Sequence, residues 1–156
     1  GDGSDDSPVR ESKAAVTVKG DHDAAIELDG DNELKSGGYN AGLEKNEHES
    51  KGTLTIKDDK GKDGSLTAEG GFGGAGIGGG IESTGSNITI RGGTIEAVGG
   101  SNAAGIGDGA GRASDDTDDP NPGDLYICGD AEVTARPSAA ATAKYPRRTF
   151  LTMNIR

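Results

Sequence analysis

The feature that most constrains this chain is a repeated unit of strand, turn, strand and glycine-rich corner. Four segments carry it: 25–43, 53–80, 87–109 and, in degenerate form, 124–143. Each opens on an alternating stretch whose apolar pair is Ile26/Leu28, Leu54/Ile56, Ile88/Ile90 or Leu125/Ile127. Alternation at period two puts both members of a pair on one face of a strand. After a turn, a second stretch sets Leu34/Ser36, Leu66/Ala68, Ile95/Ala97 and Val133/Ala135 in matching columns. The corner follows, and three of the units then carry a small-residue triplet: Ala41-Gly42-Leu43, Ala75-Gly76-Ile77 or Ala104-Gly105-Ile106.

A unit this short cannot bury its inward face alone. Stacking the units makes parallel sheets and a continuous narrow core. The expected fold is therefore all-β, a right-handed parallel β-helix (solenoid) of about four coils. Composition agrees. Only 30% of the 156 residues are hydrophobic and 3% aromatic, with no Trp, too little bulk for an ordinary globular core. A thin solenoid interior needs no more, and the 29 glycines suit its turns. Disorder would also fit a polar, glycine-rich chain, but not one whose apolar residues recur in ordered columns. The glycine density argues against helices.

On this reading residues 1–13 are a linker from a larger chain and 14–156 form one β-helix domain. Its coils lie near 25–43, 53–80, 87–109 and 124–143, with a terminal strand near 149–156 where Leu151, Met153 and Ile155 alternate with polar residues. The polar stretches 45–52, 80–86 and 109–123 are expected to project from the edges. Uncapped solenoid ends recruit other strands, so either the terminal segments fold over the ends or copies self-associate.

The net charge of −11 argues against a nucleic-acid partner and against an anionic membrane surface. No apolar run approaches the roughly 20 residues of a membrane span. Cys128, the single cysteine, excludes an internal disulfide and a cysteine-based zinc site, and between apolar neighbours it reads as a small buried residue.

The run Gly70 to Gly80 contains G-x-G-x-x-G at Gly74, Gly76 and Gly79. A dinucleotide loop must follow a strand and open a helix, whereas loop and strand follow here, and a near-copy recurs in the next unit. The Ca²⁺-binding nonapeptide pattern fails as well, because Gly78 stands where its Asp is needed. Glu69 and Glu96 on neighbouring coils are the carboxylates to weigh for glycoside hydrolysis, but both fall at outward strand positions. His22 and His48 lie in polar, acidic stretches, and no Ser-His-Asp or Cys-His arrangement is visible. The expectation is a non-enzymatic module that requires no cofactor.

Two groups are candidates for binding. The loop holding Asp115, Asp116, Asp118, Asp119, Asn121 and Asp124 offers several of the six to eight oxygens that Ca²⁺ takes. Tyr39 and Phe72 each follow a Gly-Gly pair, a column that Ser101 holds in the next unit. If stacked about 4.8 Å apart, they would make a short exposed aromatic ladder for a sugar.

The phrases LDGDNELKSGGYNAGL, SLTAEGGFGGAGIGGG and ITIRGGTIEAVGGSNAAGIG resemble a repeat of large secreted or wall-attached proteins of Gram-positive, often gut-dwelling, bacteria. The likeness covers about residues 14–143. Those modules are glycine-rich right-handed parallel β-helices, several labelled carbohydrate-binding. The resemblance implies an extracellular, secreted or cell-wall-attached module that binds a polysaccharide or a surface protein, or serves as a structural stalk. A polysaccharide lyase or glycosidase fragment is the remoter alternative, since no catalytic motif carries across. The fourth unit departs from the pattern, with Pro137 and an alanine run in place of glycines.

Overall fold

The computed structural model describes residues 13–111, 124–138 and 153–155. Among the described residues thirteen strands follow one another: β1 (Val16–Thr17), β2 (Ala24–Glu27), β3 (Asp31–Lys35), β4 (Leu43–Glu44), β5 (Leu54–Lys57), β6 (Ser65–Glu69), β7 (Ile77–Gly78), β8 (Ile88–Ile90), β9 (Thr94–Val98), β10 (Ile106–Gly107), β11 (Leu125–Ile127), β12 (Glu132–Arg136) and β13 (Met153–Ile155). A 3₁₀ turn spans Glu47–Glu49. Among the described residues no helix is long and apolar enough to cross a membrane.

The strands form three sheets with orders β1-β4-β7-β10, β11-β8-β5-β2 and β13-β12-β9-β6-β3. Among the described residues the strands of successive coils pair in parallel, and the chain visits the three sheets in turn. This is a parallel β-helix. Each complete coil carries three strands rather than the two expected, and the third is the Leu or Ile that closes the small-residue triplet, with the residue after it. Leu43, Ile77 and Ile106 stack directly in that third sheet.

The core is a set of ladders. Leu54, Ile88 and Leu125 share one column, Ile56, Ile90 and Ile127 the next, and Leu66, Ile95 and Val133 a third. Ile56, Ile77 and Ile90 are fully buried. Alternation sends Thr55, Thr67 and Glu96 outward, as period two requires.

The first coil departs from the expected register by two residues in both long sheets. Ala24 and Ile26 sit under Leu54 and Ile56, and Asn32 and Leu34 under Leu66 and Ala68. A shift of two keeps every side chain on its face, so the fold is unaffected. Asn32 ends a core column with a polar group. Its Nδ2 lies 3.0–3.3 Å from the carbonyls of Asp29, Gly30 and Ser65.

The glycine of each triplet is required by close approach. A Cβ on Gly42 would lie 2.8 Å from the carbonyl oxygen of Gly76, and one on Gly76 would lie 2.6 Å from that of Gly105. Real Cβ atoms do not come that near a backbone oxygen, so the column admits only glycine.

Other expectations are corrected. Cys128 is exposed. Leu125 and Ile127 face the core, so alternation turns Tyr126 and Cys128 outward. The stretches 45–52 and 80–86 do not simply project. Lys45 and Ser50 are fully buried, and Ser83, Thr84 and Ser86 are buried as well. The backbone of 80–85 folds back on the coil through hydrogen bonds from Ile81 to Tyr39 (2.8 Å) and from Glu82 to Ala110 (2.7 Å). At the C-terminal end β13 pairs antiparallel with β12 and covers that edge of its sheet.

Candidate functional site

Tyr39 and Phe72 meet at the corner between the second and third strands of neighbouring coils. The Tyr39 N–H donates to the Phe72 carbonyl at 2.7 Å, and the two ring centroids lie 6.0 Å apart with planes at 86°. Both rings are more than half exposed, at 55% and 60%.

They are not column partners. Counting back from Leu43, Ile77 and Ile106, which stack directly, Tyr39 aligns with Gly73 and Asn102, while Phe72 aligns with Gly38 and Ser101. The expected parallel ladder is replaced by an edge-to-face pair from adjacent columns. The rings form two walls of a right-angled corner.

The Tyr39 column has left-handed backbone in all three coils: φ is 70° at Tyr39, 78° at Gly73 and 59° at Asn102. Glycine and asparagine are the residue types that tolerate this region, and a bulky side chain there costs about 1 kcal/mol or more. Tyr39 nevertheless leaves more than half of its surface in solvent.

Hydrogen bonds tie the backbone of the corner together. The Ser36 hydroxyl donates to the Asn40 carbonyl at 2.7 Å and accepts from the Gly71 N–H at 3.0 Å. Gly71 N–H also donates to the Asn40 carbonyl, and Gly100 N–H to the Gly74 carbonyl. Behind the corner, Ile81 packs over Gly73, where an added Cβ would meet its side chain at 3.1 Å.

A polar network holds the outer face of the third sheet. Glu44 is buried, accepting from the Ala41 N–H at 3.1 Å and from Asn46 Nδ2 at 3.2 Å. Asn46 Oδ1 accepts from Gly80 N–H at 2.9 Å, and its Nδ2 reaches Glu49 at 3.1 Å. Lys19 Nζ lies 2.8 Å from Glu49, and this bond, with that from Asn46, holds the Glu49 carboxyl below its usual range. Lys45, two residues past Leu43, donates from Nζ to the Ser50 carbonyl at 2.8 Å. Burial lowers its pKa, partly offset by Glu47 and Asp23. A lysine inside a polar run gives no sequence signal of such burial.

A second concavity, about 720 Å³, lies at the turn between the first two strands of each coil, and sequence reading missed it. Its lining includes Asp31, Ser65, Thr94 and Glu132, which stack as one outward column. Several of its polar groups are engaged with one another. Asp58 accepts from the N–H groups of Lys62 (3.0 Å) and Gly64 (2.9 Å), Asp31 accepts from Ser65 Oγ (2.7 Å), and Lys62 lies 3.5 Å from Asp130.

Of the other candidates, Asp115, Asp116, Asp118, Asp119 and Asn121 lie outside the described residues. Asp124 is exposed just before β11, and its carbonyl accepts from Ile88 N–H at 3.0 Å. Among the described residues no group of three or more His, Cys, Asp or Glu side chains is arranged to hold a metal ion. Glu69 and Glu96 are out of register by two positions, since Glu96 pairs with Thr67. Each lies near a cation, Glu69 at 3.6 Å from Lys35 and Glu96 at 3.2 Å from Arg136. His22 and His48 are exposed. Gly74, Gly76 and Gly79 lead into β7 and a loop, with no helix to meet a pyrophosphate.

Residues 62–81 and 88–110 match a family model described as a β-helix repeat. These stretches contain β6 to β7 and β8 to β10. No curated protein and no solved structure matches the chain.

Proposed function

Taking a parallel β-helix repeat module as the premise, we propose that this chain is a non-enzymatic extracellular surface module that binds glycan at the Tyr39–Phe72 corner. The observation that carries the reading is Tyr39 itself. A large aromatic residue occupies a left-handed position that the neighbouring coils give to Gly73 and Asn102, and more than half of it is left in solvent. A bulky ring kept at a left-handed position and largely in solvent points to a use for it. Aromatic faces stack on the apolar C–H faces of sugars, and fixed rings lose little entropy on binding.

A protein-binding or purely structural stalk is the second reading, favoured by the repeat architecture. The two separate on one experiment. The domain is screened against a panel of polysaccharides, with Phe72→Ala as the matched control. Retention by the wild-type domain that Phe72→Ala loses supports glycan binding. Retention of neither on any polysaccharide favours the stalk, and release of reducing or unsaturated sugar would overturn the non-enzymatic reading.

A further inference from the structure

The charge around the corner carries the glycan reading a step further, and the step rests on that reading. We infer that the sugar seated against Tyr39 and Phe72 bears an ammonium group, as in a glycan of glucosamine-type units.

Two features of the rings support this. With planes at 86°, they cannot both lie flat on one sugar ring, so a ligand stacked on one wall presents a substituent to the other. An aromatic face within about 6 Å attracts a cation through its quadrupole, an attraction that a neutral substituent lacks.

The charges nearby disfavour the opposite ligand. A uronate or sulfated chain needs a cation to meet its anion, and among the described residues the cations on this side of the coils lie beside carboxylates. Lys35 lies 2.9 Å from Glu33 and 3.6 Å from Glu69. Arg136, whose carbonyl accepts from Gly99 N–H, lies 3.2 Å from Glu96. Lys13, whose carbonyl accepts from Gly37 N–H, is also engaged. Glu82, next to the Ile81 that packs behind the corner, and Glu69, three residues before Phe72 and 3.6 Å from Lys35, are exposed carboxylates. The net charge of −11 draws a cationic chain toward this surface and repels an anionic one.

The test is calorimetric titration of the domain with a glucosamine oligomer, its N-acetylated counterpart and a galacturonate oligomer of equal length, at low and at about 0.5 M salt. Phe72→Leu serves as the variant, because it keeps apolar bulk at a largely exposed position and removes the π face. The amino oligomer is expected to bind about tenfold more tightly than the acetylated one. That preference should weaken in salt and vanish in Phe72→Leu, and the galacturonate should not bind. Equal affinity for amino and acetylated oligomers overturns the inference while leaving glycan binding intact. A preference that survives in Phe72→Leu also overturns it, because the attraction is then general to an acidic surface. Binding of none of the three, or of any other glycan, overturns the inference and the reading beneath it together.

Discussion

Tyr39 and Phe72 are joined by a backbone hydrogen bond of 2.7 Å, yet their rings stand edge to face because they occupy adjacent columns. The corner is thus fixed by the main chain, and each ring is free to be altered without disturbing the other's backbone. Phe72→Ala is expected to change stability by less than about 1.5 kcal/mol, the upper worth of an aromatic pair, in urea unfolding. A larger loss would mean that the ring holds the corner together.

The glycine column sets the spacing between coils. Gly76→Ala brings a Cβ within 2.6 Å of the Gly105 carbonyl oxygen and the Val98 nitrogen. It is expected to destabilise by about 2–3 kcal/mol, the usual cost of overpacking a rigid interior. Gly38→Ala is the control, since a Cβ there meets nothing within 4 Å, and it is expected to be neutral or slightly stabilising. Chemical denaturation midpoints of the pair check the contrast.

Lys45 makes stability depend on alkaline pH. Its pKa in the folded protein is depressed below the ordinary 10.5, first by burial. Between the folded value and 10.5 the unfolded chain binds more protons, so stability rises with pH across that window. Below the folded value the full penalty is present. Lys45→Met is expected to stabilise the protein by about 1 kcal/mol at neutral pH, as apolar replacements of buried ionic groups often do, and to remove the alkaline rise. Melting temperatures from pH 7 to 10.5 for both proteins measure it.

Acid acts through the ion pairs on the outside. Arg91 and then Lys57 hold the Asp59 carboxyl below its usual 3.8, and Lys19 and then Asn46 hold Glu49 below 4.5. A depressed carboxylate gives stability that is present above its unfolded pKa and is lost as pH falls through the folded one. The melting temperature is therefore expected to hold steady down to about pH 4.5 and then fall. Both groups are solvent-exposed enough for salt to weaken the effect, so the fall should be shallower at high ionic strength.

How much of this was legible in the sequence depended on how loudly each position speaks. The columns from Leu54 and Leu66 onward were readable because Ile, Leu and Val alternate with polar residues on strands of three to five residues. The first coil was misregistered by two because its true column members, Ala24 and Asn32, do not look like core residues. The third sheet escaped notice because its strands are two residues long, too short for any period to show. Alignment from the Gly-Gly pairs put Tyr39 and Phe72 in one column, whereas alignment from the stacked Leu43, Ile77 and Ile106 separates them by one. The acidic concavity was invisible because Asp31, Ser65, Thr94 and Glu132 share no residue type and become neighbours only by stacking.

The most direct test of the account is to give Tyr39 the residue its own column uses in the third coil. Tyr39→Asn keeps a side chain suited to a left-handed φ and removes the ring. Affinity for the retained glycan and the melting temperature are measured on the same preparation. The account predicts at least a tenfold loss of affinity with the melting temperature held or raised. Undiminished affinity would contradict it, and so would a marked drop in melting temperature, which would make the ring a structural cover for the corner.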